Sequence, residues 1–155
     1  MHLSNITLTL KNETETLALG AKIASVIHGG LNIWLRGDLG AGKTTLARGM
    51  LRGLGYQGKV KSPTYTLVES YVISGITFYH FDLYRFMSEE EWEEAGFREY
   101  FNSTSVCLVE WPEKASNLLP QADVEIFLET EGAGRKATLR AETTQGQQCL
   151  DLFAY

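Results

Sequence analysis

Apolar and polar residues alternate one for one through Ile6-Thr7-Leu8-Thr9-Leu10, which is the period of a half-buried strand. The period then lengthens to that of a helix through Leu17, Ala21, Ala24 and Ile27, and Asn12-Glu13-Thr14-Glu15 offers a side-chain cap for its start. His28 is expected to close that helix ahead of Gly29-Gly30, where the helix dipole favours a cation. Leu31-Asn32-Ile33-Trp34-Leu35 reads as a second strand. Leu46, Met50 and Leu51 return to helical spacing until Gly53 and Gly55 supply a stop. Residues 65–81 hold two runs rich in Tyr, Thr, Val, Ile and Phe on either side of Ser74-Gly75, the pattern of a β-hairpin. Ser88-Glu89-Glu90-Glu91 has capping-box spacing; Trp92, Ala95 and Phe97 give the next helix an apolar side, and its glutamates a solvated one. Ser105-Val106-Cys107-Leu108-Val109 is the continuous apolar run of a buried parallel strand, and it stops at Glu110-Trp111-Pro112. Runs at 124–129, 136–142 and 149–153 read as further strands, joined by turns at Gly132-Ala133-Gly134 and Gly146.

Composition narrows the class. A chain of 155 residues can bury one real core and is short for two, so residues 1–155 are expected to form a single domain. A net charge of −5 argues against a protein that grips nucleic acid through a basic face. Cys107 and Cys149 are too few for a disulfide framework and read as packing residues in a reducing compartment. No apolar stretch approaches the roughly 20 residues that span a bilayer, and Met1-His2-Leu3-Ser4-Asn5 lacks the basic and apolar run of a leader. A soluble cytoplasmic protein with no membrane contact is the expectation.

The candidate chemistry begins at Gly37-Asp38-Leu39-Gly40-Ala41-Gly42-Lys43-Thr44-Thr45, which fits the phosphate-binding pattern G-x-x-x-x-G-K-[ST]. Its glycines let the backbone turn N–H groups onto phosphate oxygens, Lys43 reaches the β- and γ-phosphates, and the Thr44 hydroxyl occupies the Mg²⁺-binding position. A strand before the loop and a helix after it are the setting this motif requires. The expected fold is therefore α/β: a three-layer P-loop NTPase-like fold, with a mixed, mostly parallel sheet flanked by helices and an antiparallel hairpin beside it. Such a loop works with an acidic group at the end of a buried strand, and two residues meet that description. Glu110 follows the run 105–109, and Asp82 follows residues 76–81; both end a strand on the side where open α/β sheets bind ligands. His80 would share a face with Asp82 and Tyr84, and reads first as a structural histidine with a base role as the alternative. Thr64, in Lys61-Ser62-Pro63-Thr64-Tyr65-Thr66, is the candidate for a γ-phosphate-sensing switch, against the plainer reading of a turn hydroxyl. Arg85 and Arg135 are the arginines that could act as fingers in cis.

Together with the P-loop, the blocks Val60-Lys61-Ser62-Pro63-Thr64-Tyr65-Thr66-Leu67-Val68, His80-Phe81-Asp82-Leu83-Tyr84-Arg85 and Val109-Glu110-Trp111-Pro112-Glu113 resemble the bacterial TsaE (YjeE) family. The resemblance implies an ATPase, with ATP and Mg²⁺ as cofactors, needed to form threonylcarbamoyladenosine at position 37 of tRNAs that read codons beginning with A. It implies a TsaD–TsaB heterodimer as partner, with hydrolysis supporting turnover of that transferase and tRNA met only through the complex. The chain alone is expected to be a monomer. The resemblance further implies that Lys43, Thr44 and Glu110 serve phosphate and metal, that Asp82 aids hydrolysis, and that Trp111, Asn12 and Arg135 lie near the nucleotide. Two other readings stay open: a small-molecule kinase built on the same P-loop, and a nucleotide-gated binding module with little turnover of its own.

Overall fold

The computed structural model describes residues 4–154. The expectation of no leader falls partly on Met1, His2 and Leu3, which lie outside the described residues.

The alternating segment forms β1 (Asn5–Leu10), with Asn5, Thr7 and Thr9 exposed. Asn12 caps α1 (Glu13–Ala24) by accepting the Glu15 N–H at 3.0 Å. That helix ends a turn before His28. Ser25 draws off Lys22 O with its hydroxyl at 2.6 Å, and the Val26 N–H tightens onto Ile23 O, so Ile27 and His28 belong to the loop that follows. β2 (Asn32–Arg36) leads through the P-loop into α2 (Lys43–Leu54), which Gly55 closes in the left-handed conformation. The hairpin is β3 (Val68–Ile73) and β4 (Ile76–Asp82), with Ser74 and Gly75 both at positive φ as a tight type I′ turn demands. Ser88 caps α3 (Glu89–Ala95); Phe97 lies beyond it in a 3-10 turn, Phe97–Tyr100. Next come β5 (Ser105–Glu110), buried throughout, and a second 3-10 turn, Pro112–Lys114. β6 (Val124–Glu131) and β7 (Gly134–Ala141) form a second hairpin about Gly132-Ala133.

The last element corrects the sequence reading: residues 149–153 belong to a helix, α4 (Thr144–Phe153), and Gly146 lies in its first turn rather than in a loop. Thr143 starts that helix, its Oγ1 accepting the Gly146 N–H at 3.1 Å. Cys149, Leu150 and Phe153 then fall on one buried face.

The seven strands of the described residues join one sheet in the order β1-β7-β6-β2-β5-β4-β3. The four central strands are parallel, while β3, β7 and β1 pair antiparallel toward the edges. Leu19 and Ile23 of α1, Leu46, Met50 and Leu51 of α2, and Leu150 and Phe153 of α4 belong to one apolar cluster. Phe81, Leu83, Trp92, Phe97 and Val109 form the other, under α3 and the 3-10 turns. The α1–α2 crossing is close because Gly20 and Gly49 have no Cβ; one at Gly20 would stand 2.5 Å from Leu46 O, and one at Gly49 would strike Leu17 O. The topology brings three strand ends together, since Glu110 is in register with both Asp82 and Leu35.

Candidate nucleotide-binding site

Between β2 and α2, Gly40 and Gly42 adopt φ of +82° and +100°, which L side chains rarely tolerate, and a Cβ at Gly40 would meet open space. Gly42 is the N-cap of α2 and has no side chain to cap it, so the first N–H groups of the helix face outward with the positive end of its dipole. Lys43, with 6% of its side chain exposed, folds back so that Nζ donates to Gly37 O at 2.7 Å. The same ammonium stands 3.8 Å from Glu110 Oε1 and 3.9 Å from the centre of the Trp111 ring. Burial lowers the Lys43 pKa from its ordinary value, and the charges of Glu110 and Asp82 only partly oppose it. Burial likewise raises the Asp82 carboxyl and Glu110's charge adds to the rise, against the Tyr84 N–H, which donates to Asp82 Oδ1 at 3.0 Å. Glu110 itself is 4% exposed, and its Oε2 lies 2.5 Å from His80 Nε2.

A cavity of about 370 Å³ opens over this group, lined by Leu39, Gly40, Gly42, Lys43, Thr44, Thr45, Thr64, Asp82, Glu110, Trp111 and Arg135. A second hollow of about 140 Å³ shares Gly42, Thr45 and Arg135 with it and extends to Asn12, Glu13, Thr16, Ala133 and Gly134. A dipole-bearing helix end, a buried lysine and two carboxylates around one cavity suit a polyphosphate with a hard cation.

The family model described as "Threonylcarbamoyl adenosine biosynthesis protein TsaE" matches residues 10–138. The chain belongs to the TsaE family. It is similar, at 45% identity over 157 residues, to a Haemophilus influenzae protein named tRNA threonylcarbamoyladenosine biosynthesis protein TsaE, covering 98% of this chain and 99% of that one. A Bacillus subtilis protein of the same name is 40% identical over 121 residues, or 78% of this chain and 75% of the relative. The crystal structure of Bacillus subtilis YdiB has the same fold, with a TM-score of 0.85 at 29% identity over 99% of this chain and 97% of that one.

In this TsaE-family chain, Lys43, Thr44, Thr64, Asp82, Glu110 and Trp111 surround the larger cavity, and Asn12 lines the smaller one. Three of the expected loop residues stand elsewhere: Gly37, Asp38 and Ala41 face a separate hollow toward Phe127, Leu128 and Glu129. Gly37 is required by packing, because a Cβ there would lie 2.7 Å from Leu128 O. Thr64 Oγ1 is hydrogen-bonded to Ser62 Oγ at 2.7 Å, and its loop is tied to β4, where the Asp82 N–H donates to Leu67 O at 2.9 Å. Trp111 adopts φ +57°, a strained conformation for an aromatic residue, which turns its ring over Lys43 and against Tyr84.

The two candidate fingers are held differently. Arg135 spends its guanidinium on Ala41 O and Gly40 O, both at 2.9 Å, and on Gly134 O at 2.8 Å, and so braces the loop from β7. Arg85 stacks on Tyr65 at 4.6 Å. Sequence reasoning missed Thr16, one helical turn after Asn12 and so on the same face of α1, and the pairing of His80 with Glu110.

Proposed function

We propose that the chain binds ATP in this cleft and hydrolyses it, in support of threonylcarbamoyladenosine formation on tRNA. The observation that carries the reading is the uncapped N-terminus of α2 converging with Lys43, Glu110 and Asp82 on one cavity. The relatives' names supply the pathway.

The first N–H groups of α2 and Lys43 bind the phosphates. Lys43 exchanges its bond to Gly37 O and its distant pairing with Glu110 for a phosphate oxygen, which offsets the burial cost of its charge. Thr44 and Glu110 are the side chains that would hold Mg²⁺, which when bound neutralises phosphate charge as the leaving group departs. Asp82, beside Glu110 in the register, orients the attacking water. Thr64 reports whether the terminal phosphate is present. The hollow at Asn12 and Thr16, which shares Gly42, Thr45 and Arg135 with the cleft, would take the nucleoside.

Because Arg135 spends its guanidinium on loop carbonyls and Arg85 is not part of the cavity lining, no arginine among the described residues is free to meet the developing charge there, an element worth roughly 10³- to 10⁵-fold where other P-loop enzymes supply it. Slow hydrolysis alone and faster hydrolysis with a TsaD–TsaB heterodimer are expected. The deciding experiment follows ATP turnover by the chain with and without that heterodimer, with Mg²⁺ or chelator, alongside co-precipitation under ATP, ADP and no nucleotide. Mg²⁺-dependent turnover that rises with the heterodimer supports the reading; no nucleotide binding in any arm overturns it.

A further inference from the structure

His80 sits inside β4 with 1% of its surface exposed, between Tyr79 and Phe81, where the strand otherwise contributes apolar side chains to the core. Burying an imidazole at such a position is unfavourable unless its polar atoms are satisfied. Only one is: Nε2 meets Glu110 Oε2 at 2.5 Å, while Nδ1 has no hydrogen-bond partner among the described residues. A carboxylate accepts, so the proton between the two groups is assigned to Nε2. The ring does not line the cavity and reaches none of its other lining side chains by a hydrogen bond.

The consequence falls on Glu110. Its two oxygens are divided, Oε2 held by His80 and Oε1 turned toward Lys43 but kept at 3.8 Å, beyond hydrogen-bond contact. Released from His80, the carboxylate could close that gap onto the ammonium, and both groups would then be spent on each other inside a low-dielectric pocket. We infer that His80 is a positioning residue: it anchors one oxygen of Glu110 so that the other stays available to the cavity and Lys43 stays available to phosphate. This rests on the ATPase reading above. It extends the usual logic by which a partner behind a metal-binding carboxylate or imidazole aims that ligand.

The test compares His80→Gln, whose amide N–H stands in for Nε2–H, with His80→Asn, whose amide reaches only the Nδ1 position, each also in a Glu110→Gln background. Turnover is measured with the heterodimer present. The second readout needs no turnover: the melting-temperature rise produced by ADP, with Mg²⁺ and with chelator. His80→Asn is expected to lower kcat by roughly 10- to 100-fold with the ATP KM changed less than about threefold, and to erase the Mg²⁺-dependent part of the ADP shift. His80→Gln is expected to retain most of both, and neither substitution is expected to add to the loss in Glu110→Gln.

Equal impairment by Gln and Asn in proteins that melt like the wild type would overturn the inference, as would an undiminished further loss in the Glu110→Gln background. A His80→Asn protein with wild-type kcat and Mg²⁺ response would do the same. If the wild type does not turn over ATP even with the heterodimer, the ATPase reading fails, and the Mg²⁺-dependent ADP shift alone decides the role of His80.

Discussion

Lys43 and Asp82 are both pushed by burial toward their neutral forms, so at neutral pH their charges are held at a cost in stability. A ligand carrying phosphate and a divalent cation relieves both, which is a physical reason for the cleft to bind one. Lys43→Ala is expected to lower kcat/KM for ATP by at least about 100-fold, equivalent to about 2.7 kcal/mol of transition-state binding. It should also remove the melting-temperature rise given by ADP, whereas Glu110→Ala should keep much of that rise and lose turnover; steady-state kinetics and thermal shifts separate the two.

Glu125 shows the opposite behaviour. Its burial would raise the pKa, but hydrogen bonds from Arg36 at 2.9 Å and Arg140 at 2.6 Å outweigh that and hold it below the ordinary value of 4.5. Its stabilising effect is therefore complete above that ordinary value and is lost as pH falls through the lower folded one. Glu125→Gln should melt below the wild type at pH 7, and the gap should close in acid, as read by thermal denaturation across pH. At this scale Lys43, Glu110 and Asp82 were legible because motif and strand ends mark them. The Glu110–His80 pairing was not, since it depends on which way a side chain leans between neighbouring strands.

The elements follow the local pattern where a cap or turn residue agrees with it, as at Asn12, Ser74-Gly75 and Ser88. They depart from it where two signals compete. Residues 149–153 are too short a run to separate a strand from one buried face of a helix, and the Thr143 cap decides for the helix. Apolar spacing would carry α1 on to Ile27, yet Ser25 ends it. The glycines of α2 carry a further consequence. Alanine favours a helix by up to about 1 kcal/mol over glycine, but at Gly49 the added Cβ would strike the Leu17 backbone, which cannot swing aside as a side chain could. Overpacking of that sort costs about 1–3 kcal/mol and should win. Gly49→Ala is expected to lower the melting temperature by about 2–8 °C, and, because α1 carries Asn12 and Thr16, to weaken nucleotide binding as well. An unchanged melting point would contradict the close crossing.

On the scale of the whole molecule, the loop before β3 is joined to the cleft end of the sheet at two places and braced once within itself. Leu67, at φ +69°, takes the Asp82 N–H on its carbonyl and donates its own N–H to Pro63 O, and Tyr65 lies under Arg85. A phosphate that reorders Thr64 must therefore act on a strained, tethered segment. Hydrogen exchange over residues 60–66 should be slower with a non-hydrolysable ATP analogue than with ADP, and equal protection would remove Thr64 from the switch. The sheet order has the same long-range character: β1, first in the chain, lies outside β7, the last strand.

The sequence by itself determined the glycine-rich loop between β2 and α2, most element positions, the β3–β4 hairpin and the two carboxylates at strand ends. All of these rest on interactions within a few residues or on one-dimensional periods. Tertiary structure alone decided that β1 joins β7, that Arg135 braces the loop instead of reaching past it, and that His80 holds Glu110. Each of those depends on two distant segments meeting, and the free energy that selects among such meetings comes from burial and from satisfying buried polar groups, neither of which exists before the chain has closed on itself.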